Sequence, residues 1–284
     1  MTLRVDAHQH YWDPRRGDYA WMSMDDPVLA LPYGPGDLAP ELAAAGIDRT
    51  VLVQAAGTVA ETEYMLGLAE ATESVAAVVG WIDFEDRDHL RHLERWKAHP
   101  KFVGLRPMIE FVPDVDWMLG DAVQWAYAAL VDLDLTFDAL GLSRHLANFL
   151  AVVKRYPKLR MVVDHCMKPQ IRDHGTAKEE LAVWGEGLRR IAEESGACCK
   201  LSGLVTEADG DWREEDLAPY VEVVLRAFGP ERVMWGSDWP VCTRRAGYRQ
   251  WHAAAESLCA GLTDAGRAEV FGGTASRFYG LEGR

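Results

Sequence analysis

Two histidines one residue apart, His8 and His10, close the first apolar run, Arg4-Val5-Asp6-Ala7-His8-Gln9-His10. Side chains two apart on a β-strand point to the same side, so this run aims two imidazoles at one place, flanked by Asp6. Imidazole nitrogens can hold a metal or polarise an oxygen. An inert, hydrogen-bonded pair would show the same spacing, so the meaning depends on what other strands bring there. Asp164-His165, followed by Lys168-Pro169, offers a third imidazole. Trp235-Gly236-Ser237-Asp238-Trp239-Pro240 offers a carboxylate. A carboxylate beside imidazoles is suited to take a proton from water, because cationic or metal-bound neighbours keep it ionised. Asp238 is therefore the candidate general base, with His165 completing a group of three imidazoles and one carboxylate.

These residues need elements that bring them together. Apolar runs at 4–10, 50–55, 75–82, 102–106, 135–138, 161–165, 199–202 and 232–238 read as eight strands. Amphipathic helical stretches separate nearly all of them, at 37–46, 61–74, 87–98, 121–131, 144–155, 177–195 and 214–228, with helical sequence from 244 onward. Continuous apolar strands alternating with helices imply a parallel sheet covered on the outside. Eight such units imply closure as a (β/α)8 TIM-type barrel, a single domain over 1–284 with its site at the C-terminal strand ends. An open doubly wound sheet would carry a glycine-rich turn after strand one, where this chain has His-Gln-His-Tyr-Trp. The connection 11–36 holds four prolines with Trp12, Trp21 and Tyr33 and has no helical period. So aromatic a loop is expected to fold over the barrel mouth. The strand ends read in order as His8 and His10, Gln54, Trp81 with Asp83, Arg106, Asp138, His165, Lys200 with Ser202, and Asp238. Barrel interiors are normally aliphatic, so polar groups at nearly every strand end mark a site.

Bulk properties narrow the function. Of 284 residues, 30 are Lys or Arg and 44 are Asp or Glu, a net charge of −14 that argues against nucleic acid or anionic membrane as partner. Five cysteines without a C-x-x-C spacing read as reduced thiols of a cytoplasmic protein. No apolar run approaches the ~18 residues of a membrane helix, and no apolar signal core precedes the first strand.

The ordered set His8-x-His10, Val103-Gly104-Leu105-Arg106, Asp164-His165 with Lys168-Pro169, Lys200-Leu201-Ser202-Gly203-Leu204, Trp235 to Pro240 and Ala275-Ser276-Arg277-Phe278-Tyr279 resembles the amidohydrolase superfamily. More closely it resembles the amidohydrolase 2 branch of sugar-acid lactonases, the L-fuconolactonase and L-rhamnonolactonase type, from about Val5 to Leu281. The resemblance implies hydrolysis of a small sugar lactone, with Asp238 activating water and His165 beside it. Arg106 and Lys168 would bind substrate oxygens, and Asp138 would also contact substrate. Trp12, Trp81 and Trp239 would give flat faces for the sugar ring. Strand five ends in Asp138, where fully metalated relatives place a histidine or a bridging lysine. A binuclear site is therefore not expected. A single zinc held by His8, His10, His165 and Asp238 fits the pattern, and so does catalysis with no metal required, since a lactone is an activated ester. The competing readings are a pyrone-dicarboxylate-type lactonase, a metal-dependent decarboxylase, and a catalytically dead barrel acting as a binding protein. A dicarboxylate would ask for several rim arginines, and Arg144, Arg172, Arg244 and Arg245 all fall in loops or helix starts. A dead barrel should have lost Asp238 or the His8–His10 pair.

Overall fold

In the computed structural model, which describes residues 3–174 and 178–282, eight parallel strands pair in sequence order. They are β1 (Val5–Gln9), β2 (Arg49–Val53), β3 (Val75–Gly80), β4 (Phe102–Leu105), β5 (Thr136–Ala139), β6 (Arg160–Val163), β7 (Cys198–Leu201) and β8 (Val233–Trp235). The segment after β8 closes the ring on β1: Asp238 N–H donates to the His8 carbonyl at 2.8 Å and His10 N–H to the Trp239 carbonyl at 2.7 Å. The result is a (β/α)8 barrel. Closure thus brings Asp238 beside the two strand-one histidines.

Small and branched residues (Val5, Ala7, Val51, Val53, Ala77, Val79, Val103, Val162, Met234) form one buried cluster with Tyr279 and Leu281. A larger cluster packs helical residues such as Leu130, Phe149, Leu188, Val224 and Trp251 around the other strand residues. The two clusters reflect the two faces of each strand.

Several elements differ from the sequence expectation. β8 ends at Trp235 instead of 238, because Asp238 adopts a left-handed φ of 57° that no strand continues. β6 ends at Val163, and His165 begins a left-handed run. The helical tail beyond 244 breaks into Tyr248–Leu258, Asp264–Ala268 and Thr274–Tyr279. The first helix starts at Pro35, where Gly34 N–H donates to the Asp37 carboxylate at 2.9 Å. The expected loop 166–176 contains the short helix Ile171–His174, and its last residues, with Ala177, lie outside the described residues. No helix among the described residues is long and apolar enough to cross a membrane.

Candidate active site

β1 does not run as a regular strand. Its pairing with β2 shifts register between Asp6 and Gln9, the mark of a bulge. Asp6 turns away from the histidines and accepts from the backbone N–H of His8 and Ser237 at 3.1 and 2.9 Å, and from Tyr248 Oη at 3.1 Å. It staples β1 to the closing segment. Burial pushes its carboxyl up to about 6. Beyond the bulge, His8 and His10 converge, with their Nε2 atoms 3.2 Å apart.

Asp238 Oδ1 lies 3.2 Å from His10 Nε2, 3.8 Å from His8 Nε2 and 3.9 Å from His165 Nε2. Two glycines permit this crowding. A Cβ on Gly236 would come within 2.8 Å of His8 Cβ, and one on Gly203 within 2.7 Å of His165 Cβ. Each ring has an orienting partner on its far side. His10 Nδ1 lies 2.7 Å from the Val53 carbonyl, so it carries the proton and leaves Nε2 as an acceptor. His165 Nδ1 meets Ser202 Oγ at 2.9 Å. His8 Nδ1 faces Lys200 Nζ at 3.1 Å and accepts from it, which puts the His8 proton on Nε2, aimed at His10. One consistent tautomer set therefore runs Lys200 to His8 to His10 to Val53.

Burial holds all three imidazoles below their ordinary value, His8 and His165 well below. Burial alone would raise the Asp238 carboxyl, but the His165 and His10 rings beside it outweigh burial and leave it below the usual range. Neutral rings around an ionised carboxylate are ready to accept a proton.

Beneath the histidines lies a charged cluster with no exposed surface. Lys200 Nζ reaches Asp138 Oδ2 at 2.5 Å and Asp164 Oδ1 at 3.0 Å, and Tyr279 Oη donates to Asp138 at 2.8 Å. Burial pushes Asp138 up to about 6 against the pull of Lys200. Arg106 Nη1 lies 3.3 Å from His8 Nε2, and its Nη2 donates to the Gln54 carbonyl.

The donor set fits a single divalent ion. His8 Nε2, His10 Nε2 and Asp238 Oδ1 sit 3.2–3.8 Å apart, as donors about 2.0–2.2 Å from one ion would. A zinc there would need the His8 proton on Nδ1, turned from Lys200 toward Asp164 Oδ1 at 3.6 Å.

Above this floor opens a cavity of about 310 Å³, lined by His10, Arg106, His165, Lys168 and Asp238, with Trp12 and Trp21 on its wall. Residues 5–281 match the amidohydrolase family. The chain belongs to that family. An L-fucono-1,5-lactonase of Burkholderia ambifaria is 41% identical over 287 residues, covering 99% of this chain and 97% of the relative. An L-fucono-1,5-lactonase of Burkholderia multivorans is 35% identical over 295 residues, with coverage of 99% and 97%. A crystal structure of a Burkholderia multivorans amidohydrolase with bound zinc superposes with a TM-score of 0.92 at 35% identity, covering 98% of this chain and 99% of that one.

In this amidohydrolase, Trp12 lines the cavity, its Nε1 donating to the Leu29 and Leu31 carbonyls at 3.1 and 3.0 Å. Three expected substrate contacts sit elsewhere. Trp81 lines a neighbouring cavity with Gly57 and Phe84, because β3 ends one residue before it. Trp239 is buried against Tyr33 and Tyr11, holding the loop in place. Asp138 lies under the floor with Lys200, since both side chains point into the barrel interior. Glu110 and Glu207, absent from the sequence reading, also line the cavity, as do Trp21 of the aromatic connection and Arg244 of the rim arginines. They belong to loops and short turns, where no periodicity reports direction.

Proposed function

We propose that the protein hydrolyses a small sugar-acid lactone of the L-fucono or L-rhamnono type to the aldonic acid. The observation that carries this reading is the Asp238 carboxylate ringed by the imidazoles of His8, His10 and His165 at the floor of a cavity of about 310 Å³. The relatives named L-fucono-1,5-lactonase support the substrate class.

Asp238 takes a proton from water as the oxygen adds to the lactone carbonyl carbon. Negative charge gathers on the carbonyl oxygen, where Arg106, Lys168 or His165 offers the nearest N–H donors. The carbonyl re-forms as the ring oxygen leaves, taking the proton that Asp238 holds. The product acid then ionises, so each turnover releases one proton. Because the Asp238 carboxyl lies below the usual range, the rate should climb only at acidic pH and stay level through neutrality.

A single zinc held by His8, His10, His165 and Asp238 would, when bound, polarise the carbonyl oxygen or acidify water. We read it as dispensable, because the tautomer chain from Lys200 to Val53 satisfies the ring nitrogens of His8 and His10 by itself. Five buried free thiols support a reducing, cytoplasmic setting. The test is a pH-indicator screen of purified protein against aldonolactones. Proton release above the spontaneous rate with at least one of them is expected, and a blank across the whole panel would overturn the reading.

A further inference from the structure

The cavity's charges are unevenly committed. Of the cations on its wall, Lys168 donates to the Glu110 carboxylate and Arg106 to the Gln54 carbonyl. Arg244 pairs with Asp26 at 3.3 Å. Arg172, just outside, is tied to the Thr206 carbonyl at 2.8 Å. Glu207 is different. It closes the short helix Leu204–Glu207 after β7 and is only partly exposed. Among the described residues its carboxylate has no hydrogen-bond or ion-pair partner. Burial pushes its carboxyl up, with Lys168 and Arg172 pulling the other way and Glu110 and Asp238 adding to the rise.

Lys168 and Arg106 keep further N–H groups for substrate oxygens, whereas Glu207 is an acceptor to which no protein donor among the described residues is committed. A half-buried carboxylate without partners calls for O–H or N–H groups from a ligand. A second carboxylate brought in by a ligand would meet Asp238 and Glu207, while the charges of Lys168, Arg106 and Arg244 already face Glu110, Asp164 and Asp26.

We propose that Glu207 is the specificity-determining residue of this site. Its carboxylate accepts hydroxyl hydrogens of the substrate, and its charge turns away lactones that carry a carboxylate of their own. This deepens the lactonase reading and rests on it for the substrate class. Specificity then combines an attraction with a repulsion, and one residue supplies both.

The test uses two lactams of the same ring size, which resist hydrolysis, one bearing only hydroxyls and the other a carboxylate in place of the exocyclic carbon. Calorimetric titration of the wild type should show the neutral lactam binding at least tenfold more tightly. Glu207→Gln, equal in size but uncharged, should shrink that preference by about tenfold, and Glu207→Ala should do the same. With the matching lactones, KM for the neutral substrate should rise in Glu207→Gln while kcat moves less. A preference unchanged within twofold in both variants overturns the proposal, as does a wild type that binds neither lactam or both equally. If the wild type hydrolyses no lactone yet its lactam preference depends on Glu207, the lactonase reading falls and the role of Glu207 stands.

Discussion

Lys200 is the residue on which the floor of the site depends. It is fully buried and holds Asp138, Asp164 and the His8 ring through one ammonium group. Removing one partner of a buried ionic cluster leaves the other charges without compensation, typically at about 3–5 kcal/mol. Lys200→Met should therefore lower the unfolding free energy by roughly that amount, read from denaturant titration. A loss under about 1 kcal/mol would mean the cluster is not charged as drawn. The left-handed run His165–Lys168, with φ of 52°, 51°, 61° and 45°, is the other local feature without a sequence signal. Such residues each carry about 1–2 kcal/mol of strain outside glycine. Bonds from Trp184 Nε1 to the Cys166 carbonyl at 2.8 Å and from Lys168 to Glu110 hold the run in place. It is what lets His165 and Lys168, three residues apart, line the same cavity.

The aromatic loop 11–36 is fastened at Glu61, on the helix Val59–Ala71 after β2. Glu61 accepts from Ala55 N–H and Tyr19 Oη, both at 3.1 Å, with Arg16 at 3.5 Å. Burial pushes its carboxyl up to about 7, beyond what these partners recover. A raised carboxyl means the folded state keeps a proton that the unfolded chain releases. Its contribution to stability is complete below pH 4.5 and is lost as pH rises to about 7. Glu61→Gln keeps the acceptor for Ala55 and a donor for Tyr19 but never ionises. Relative to wild type it should gain up to about 3 kcal/mol between pH 5 and pH 8, measured by unfolding at both. A difference that does not change with pH would contradict this latch. The eight strands and their closure into a barrel were legible from the apolar runs and the helices between them. The bulge in β1 and the early ends of β6 and β8 were not. The bulge and the early end of β8 go with closure contacts between residues more than 200 apart, such as Asp238 N–H on the His8 carbonyl. The early end of β6 goes with the left-handed run held by Trp184 and Glu110.

At the scale of the molecule, the barrel gathers one residue or two from each strand end, so the four central groups could be read from the sequence as a set. Much of the wall could not, because Glu110 and Glu207 reach the cavity through short turns and a one-turn helix whose direction no periodicity reports. Hydrolysis should survive exhaustive chelation or fall only modestly, since Lys200, the His8–His10 contact and the Val53 carbonyl already satisfy the ring nitrogens of His8 and His10. Near-total loss restored by one equivalent of zinc would make the ion obligatory. The central claim is that Asp238 removes the proton from water, and Asp238→Asn tests it most directly, because it preserves size and removes only basicity. With an aldonolactone in the pH-indicator assay, kcat should fall by about 10²–10⁴ with KM little changed. A variant that keeps more than about a tenth of wild-type kcat, less than ~1.4 kcal/mol of barrier, would contradict the assignment and move the search for the base to His165.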